Sequence, residues 1–206
     1  MTRRLYDTVA ADYADLLSDD LAAMPLDRAL LTLFAELAGQ GPVLDAGCGP
    51  GRITAYLREL GCAVEGVDLS PGMIEQAHVR HPHLSFRVGA FGSLGLAESS
   101  FAGILAWYSL IHTPPSDLRP VFAEFALALR PKGQLLLAFH AGNGEEVRRE
   151  EAYGHAVPRV NYRHDPEHLV DVMRKAGLTL STRVVREPQL DYEVTQQVFL
   201  LAEKPE

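Results

Sequence analysis

Val43-Leu44-Asp45-Ala46-Gly47-Cys48-Gly49-Pro50-Gly51 runs an apolar strand into an acid and then sets glycine at three alternate positions. Glycine is needed where a strand reverses tightly into a helix and where a ligand lies directly on the backbone, because a Cβ there would collide. The stretch therefore reads as a nucleotide-type loop. The dinucleotide fingerprint G-x-G-x-x-G would need its last glycine at position 52, where Arg52 stands, and Asp45 precedes the first glycine by two residues. Both departures point away from NAD.

Working outward, Ile53, Tyr56, Leu57 and Leu60 recur at helical spacing and Gly61 supplies a stop. Cys62 to Asp68 is a second short strand ending in an acid. In a βαβ unit such an acid lies beside the glycine loop, placed to accept hydrogen bonds from both hydroxyls of a ribose, so Asp68 is the leading binding candidate. Ser70 and Pro71 read as N-cap and first residue of a helix that continues through Met73, Ile74 and Ala77. Strands follow at His83 to Val88, Phe101 to Tyr108 and Gln134 to His140. Helices with faces Leu118, Val121, Phe122, Phe125, Leu129 and Leu169, Val172, Met173, Ala176 separate or follow them, the latter opening at Asp165-Pro166 and closing at Gly177. Leu178 to Arg186 and Tyr192 to Ala202 form a closing β pair. The alternation is that of a doubly wound α/β sheet. Leu26, Ala29, Leu30, Leu33, Phe34 and Leu37 predict one face of an N-terminal amphipathic helix.

Asp45-x-Gly47-x-Gly49-x-Gly51 resembles the first motif of class I S-adenosylmethionine-dependent methyltransferases. The order of elements resembles that class from end to end, including Leu129-Arg130-Pro131-Lys132-Gly133 before the fifth strand and Lys175-Ala176-Gly177-Leu178 before the sixth. The resemblance implies a Rossmann-like seven-stranded, mostly parallel sheet in the order 3-2-1-4-5-7-6, its last strand antiparallel, with helices on both faces. S-adenosylmethionine (SAM) would be the methyl donor and S-adenosylhomocysteine (SAH) the product. Asp45 would accept from the ammonium of the cofactor's amino-acid end, directly or through water. Gly47, Cys48, Gly49, Gly51, Arg52, Asp68, Leu69, Met73, Ala90, Phe91, Ala106 and Trp107 would complete the cofactor site. Tyr6-Asp7-x-x-Ala10-x-x-Tyr13 resembles the N-terminal cap of the small-molecule branch, which implies that Tyr13 closes over the cofactor. The alternative for Tyr6 and Tyr13 is a helical stripe packed on the core. The chain departs from its relatives at Val88-Gly89-Ala90-Phe91 and at Phe101-Ala102, where acids are usual, so the adenine pocket is expected to be more apolar.

Composition agrees with one domain spanning 1–206, with 1–40 as a cap and 142–164 as a substrate lid. The chain has 206 residues, 47% of them hydrophobic, and a formal charge of −8. That balance argues against a nucleic-acid or anionic-membrane partner. No stretch has signal-peptide or membrane-spanning character, which predicts a cytoplasmic protein with a small-molecule substrate, as a monomer or homodimer. Two cysteines, Cys48 and Cys62, fit a reducing compartment. Cys48 reads as a small side chain filling a tight loop rather than a reactive thiol. The Arg-rich, Ala- and Leu-rich usage suggests a bacterial source.

Methyl transfer from a sulfonium needs alignment and exclusion of water, and a base only when the acceptor must lose a proton. His112 and His140 follow the fourth and fifth strands at the carboxyl edge of the sheet and are the base candidates. Tyr108, Tyr153 and Tyr162 are candidate substrate contacts. The segment 142–164 is long for a connection, so it reads as a lid or binding loop, the alternatives being a solvated excursion or a short helix over 145–153. His78, His81 and His83 straddle a helix end and a strand start and need not converge on a metal, so the transfer reads as metal-independent. A non-catalytic SAM or SAH binder that regulates a partner remains the alternative. A short-chain NAD oxidoreductase would need a glycine at 52 and a Tyr-x-x-x-Lys that the chain lacks.

Overall fold

A computed structural model describes residues 2–16, 20–190 and 193–206. Met1 and Tyr192, read from sequence into the cap and the last strand, lie outside the described residues. The chain begins with helices α1 (Thr2–Leu16) and α2 (Pro25–Ala38). It then alternates β1 (Pro42–Ala46), α3 (Arg52–Glu59), β2 (Ala63–Asp68), α4 (Pro71–Arg80) and β3 (Ser85–Val88). The second half holds β4 (Phe101–Trp107), α5 (Leu118–Ala128), β5 (Leu129–His140), β6 (Glu146–Arg149), β7 (Arg159–Tyr162), α6 (Pro166–Lys175), β8 (Thr179–Arg186) and β9 (Gln197–Glu203).

Seven strands form one sheet in the order β3-β2-β1-β4-β5-β9-β8. Pairings from β3 through β5 are parallel, whereas β9 runs antiparallel to both β5 and β8. This is the expected 3-2-1-4-5-7-6 arrangement, with β8 and β9 as its sixth and seventh strands. Every residue of β4 is buried, as a central strand covered by helices on both faces requires. Alternate side chains feed opposite layers: Ile104 and Ala106 pack with Phe122 and Phe125 of α5, and Leu105 and Trp107 with Leu31 and Phe34 of α2. The two helix starts read from sequence are capped as expected. Ser70 Oγ accepts from Met73 N at 3.1 Å, and Asp165 Oδ1 accepts from Glu167 N at 2.9 Å, each followed by proline.

Two expectations need correction. The buried face of α2 is Asp27, Leu30, Leu31, Phe34, Ala35 and Ala38, while Leu33 and Leu37 are exposed. The face is rotated because Asp27 turns inward, a choice hydropathy cannot anticipate. The segment 142–164 contains no helix over 145–153. It holds the antiparallel pair β6 and β7, registered Glu146↔Tyr162 to Arg149↔Arg159. Both strands are short and half exposed, so their alternation carries little apolar signal. Among the described residues, no helix is long and apolar enough to cross a membrane.

Candidate active site

The glycine loop joins β1 to α3 at the carboxyl edge of the sheet, where a switch in strand order opens a crevice. Gly47 has φ +84°, and a Cβ there would stand 2.2 Å from Ser109 Cβ. Gly51 has φ +85° and packs on the Phe86 ring, which a Cβ would meet at 2.7 Å. Neither conformation suits an L side chain. Gly49 N donates to Asp68 Oδ2 at 2.9 Å, and Ser70 N donates to Asp68 Oδ1 at 2.8 Å. Both oxygens of Asp68 are thereby fixed by backbone amides. Burial raises its pKa against those amide bonds.

Asp45 is the last residue but one of β1 and is 1% exposed. Thr54 Oγ1, from the first turn of α3, donates to its Oδ2 at 2.6 Å. Burial pushes the carboxyl up to about 7, with the Thr54 bond and Arg52 opposing and Asp68 adding. Two carboxylates therefore flank the loop. Burial also raises the Cys48 thiol well above its ordinary value, with Asp45 and Asp68 reinforcing it, so this cysteine is an unreactive packing group.

Two cavities meet over the loop. The first, about 490 Å³, is lined by Asp68, Leu69, Met73, Ala90 and Phe91 among others. The second, about 480 Å³, is lined by Asp45, Cys48, Arg52, His140, Tyr153 and residues of β7 and β8. Tyr6, Tyr13, Gly47, Gly49, Trp107 and Tyr108 belong to both and form a waist. Tyr108, the residue after β4, is in the left-handed region at φ +52°, an uncommon conformation for an aromatic residue.

The cover over the waist is α1 together with the β6–β7 segment. Asp7 Oδ1 accepts from Ser70 Oγ at 2.6 Å and Gly72 N at 3.1 Å, which seats α1 on the N-terminus of α4. Leu5 and Val9 pack on Ala152 and Val157. Tyr13 stands edge-on to Tyr6 at 5.6 Å and to Tyr153 at 4.9 Å between ring centroids. Arg159 lies over the Tyr153 ring at 5.5 Å.

The two histidines behave differently. His112 Nδ1 lies 2.9 Å from the Val160 carbonyl and its Nε2 lies 2.6 Å from Tyr6 Oη. A carbonyl only accepts, so Nδ1 carries the proton and Nε2 accepts from the phenol. Burial lowers this ring to about 4. His112 thus has both nitrogens engaged within the protein, tying α1 to β7, and presents no nitrogen to an acceptor, contrary to its expected role as base. His140 Nδ1 lies 2.9 Å from Gln197 Oε1, and Gln197 Nε2 donates to Thr195 O at 2.7 Å. The glutamine oxygen must accept, so His140 carries its proton on Nδ1 and keeps a lone pair on Nε2. Burial lowers its pKa, leaving it neutral near pH 7.

Three further sequence expectations shift. Ala106 lines neither cavity because strand alternation turns it into the α5 layer. Gly51 also lines neither and serves the turn instead. Tyr162 lies outside both cavities and donates to Glu146 Oε2 at 3.1 Å. Period-two alternation along β7 sends Arg159 and Asn161 to the second cavity and Tyr162 away from it. Sequence reasoning missed Tyr6 as a site residue, along with Asp27, Arg159, Asn161, Arg186, Glu193 and Gln197. Only Tyr6 carried a signal, its spacing of seven from Tyr13.

Residues 43–133 match a family model described as a methyltransferase domain. The chain is 38% identical over 107 residues to the malonyl-[acyl-carrier protein] O-methyltransferase of Salmonella typhimurium, covering 51% of this chain and 41% of that protein. It is 29% identical over 137 residues to the demethylmenaquinone methyltransferase of Beutenbergia cavernae, covering 65% and 55%. The chain thus spans about half the length of these curated relatives. Among solved structures, Burkholderia thailandensis 1,6-didemethyltoxoflavin-N1-methyltransferase, with bound 1,6-didemethyltoxoflavin and S-adenosylhomocysteine, superposes with a TM-score of 0.75 at 25% identity. That match covers 100% of this chain and 88% of the other. The [4+2]-cyclase SpnF superposes at 0.72 with 17% identity over 99% and 96%, so the fold alone does not fix the reaction.

Proposed function

We infer that this protein, a class I S-adenosylmethionine-dependent methyltransferase by fold and motif, transfers a methyl group from SAM to a small-molecule acceptor without a metal. The observation that carries this reading is the pair of carboxylates, Asp45 and Asp68, flanking a glycine loop. Two acids beside the loop would repel a pyrophosphate, whereas they suit a cofactor that carries cations and a ribose. The cavities fit the same division. Asp68 would hold the ribose diol, with Met73, Leu69, Ala90 and Phe91 around the adenine. Asp45 would take the ammonium, with Arg52 and Arg159 as the cations near the carboxylate end. The relatives' names carry malonyl-[acyl-carrier protein], demethylmenaquinone and 1,6-didemethyltoxoflavin, so similarity at this level does not single out one acceptor.

When bound, SAM supplies a methyl on a sulfonium, an electrophile whose leaving group departs neutral. The protein then has to align the acceptor and exclude water. Tyr6, Tyr13, Trp107 and Tyr108 wall the waist, and aromatic faces there favour a nearby cation. Within the 1–40 cap, residues 2–16 cover the waist, and 142–164 serve as the lid, the two pinned by the Tyr6–His112–Val160 chain. His140 Nε2 is the base in the acceptor cavity for a nucleophile that loses a proton. The part of the second cavity around Tyr108, His140 and Asn161, beyond the residues assigned to the cofactor's amino-acid end, gives an acceptor room.

His140→Gln is expected to lower kcat by about 10²- to 10⁴-fold while SAH affinity is retained. In the wild type, kcat should be level through neutrality and fall on acidification below the depressed histidine pKa. The measurement is SAH release against pH in both proteins. An unchanged kcat in the variant would remove His140 from the chemistry.

A further inference from the structure

The second cavity carries a buried charged group that methyl transfer itself does not use. Asp27, in the first turn of α2, and Arg186, at the end of β8, are each 5% exposed. Arg186 Nη1 and Nη2 donate to the two oxygens of Glu193 at 2.8 and 2.6 Å. Glu193 Oε2 also accepts from Gln189 N and Leu190 N. Arg186 Nη1 also donates to the Glu187 carbonyl at 3.3 Å, while the guanidinium Nε lies 3.9 Å from Asp27 Oδ1, too far for a hydrogen bond. Among the described residues, five buried side-chain atoms lack a hydrogen-bond partner: Asp27 Oδ1, Arg186 Nε, Tyr108 Oη, Asn161 Oδ1 and His164 Nδ1. The first four belong to residues that line this one cavity.

Buried polar groups are rarely left unmet, so their concentration in one wall marks where a ligand's polar edge belongs. The set offers one donor in Arg186 Nε, acceptors in Asp27 Oδ1 and Asn161 Oδ1, and a phenol, Tyr108, that lies beside Arg186 and does either. The cavity's three carboxyl groups, Asp27, Asp45 and Glu193, are matched by three guanidiniums, Arg52, Arg159 and Arg186, so it offers an anionic acceptor no net attraction. A hydrocarbon acceptor would leave all four atoms unmet. The adjoining wall is flat and aromatic: the Tyr108 ring tilts against His140 at 5.2 Å and meets Trp107 edge-on at 5.8 Å.

We propose that the acceptor is an uncharged, planar nitrogen heterocycle with a lactam edge, whose N–H donates to Asp27 and whose adjacent carbonyl accepts from Arg186. This rests on the methyltransferase reading above and names the substrate class it leaves open. A lactam presents donor and acceptor on neighbouring atoms, matching the paired acceptor and donor of the wall. A site built to bond such an edge discriminates strongly against an analogue that lacks it, because its own polar groups are then stranded.

The test is titration calorimetry with SAH saturating, using lumazine (pteridine-2,4-dione), 1,3-dimethyllumazine with its ring N–H groups blocked, and 1-naphthoate. Lumazine is expected to bind at least about tenfold more tightly than either of the others, and Asp27→Leu should erase that preference while still binding SAH. Equal affinities, a preference for 1-naphthoate, or no lumazine binding in SAH-loaded wild type would overturn the proposal. If Asp27→Leu fails to fold, the wild-type comparison decides alone, with Asp27→Asn expected to weaken lumazine selectively. Failure of wild type to bind SAH would instead overturn the methyltransferase reading.

Discussion

Asp68→Asn is expected to lose cofactor affinity nearly as completely as Asp68→Ala, by 100-fold or more in each case, on the order of 3 kcal/mol. The reason is the pair of backbone donors that hold this side chain. One oxygen accepts from Gly49 N and the other from Ser70 N, so an amide in place of the carboxylate must point its NH2 at one of two N–H groups. A donor facing a donor strands both, and the side chain turns away from the ribose. The isosteric change therefore cannot rescue function, although it preserves shape and restores about the right hydrogen-bonding capacity on paper. Calorimetric titration of SAH into the two variants checks this. Near wild-type affinity in Asp68→Asn would show that neither the charge nor the two-amide hold on the carboxylate is needed for binding.

Asp45→Asn is expected to stabilise the cofactor-free protein above neutral pH while weakening SAM binding by about 30-fold or more, the loss of a buried charge-assisted bond. The native carboxyl titrates near 7 against 3.8 for an ordinary aspartate, because burial opposes its ionisation. A raised native pKa means that the group's stabilisation is full below the ordinary value and is lost as pH rises towards 7. Above 7 the folded protein carries a buried anion, at a cost of up to about 4 kcal/mol by linkage. The variant should thus melt several degrees higher than wild type at pH 8, with the gap closing towards pH 4. Thr54 can still donate to the asparagine oxygen, so the hydrogen bond need not be lost. Binding shows the opposite dependence. A cation beside Asp45 favours its ionised form, so wild-type affinity should rise with pH up to about 7 and then level off, with proton release on binding below that point. Thermal melts at several pH values and calorimetry in buffers of different ionisation enthalpy test the two halves separately. Instability traded for a cofactor contact is common at binding sites.

What could be read from the chain followed distance along it. The loop, the acid ending β2 and the Ser70 and Asp165 caps rest on patterns within some 25 residues, where spacing and turn chemistry are informative, whereas the strand order was implied by the family resemblance along the whole chain. The acceptor cavity is assembled otherwise. Asp27 lies on a helix whose hydropathy placed Leu33 and Leu37 inward, and it turns in only because Arg186 and Glu193 arrive from the far end of the chain. The β6–β7 pair escaped for a related reason. Val147 and Val160 are its only strongly β-forming aliphatic residues, and its strands are held by cross-strand bonds and by α1 rather than by an apolar face. His112 and His140 looked equivalent at two strand ends. Their hydrogen-bond partners, Tyr6 and Val160 for one and Gln197 for the other, are remote and decide that only His140 keeps a usable lone pair.

The most direct measurement is a crystal structure with S-adenosylhomocysteine bound. The account predicts the adenosyl group in the first cavity with both ribose hydroxyls on Asp68, the ammonium at Asp45, and the sulfur at the Tyr6–Trp107–Tyr108 waist facing the second cavity. Homocysteine density away from Asp45, or a sulfur atom turned from the second cavity, would contradict it.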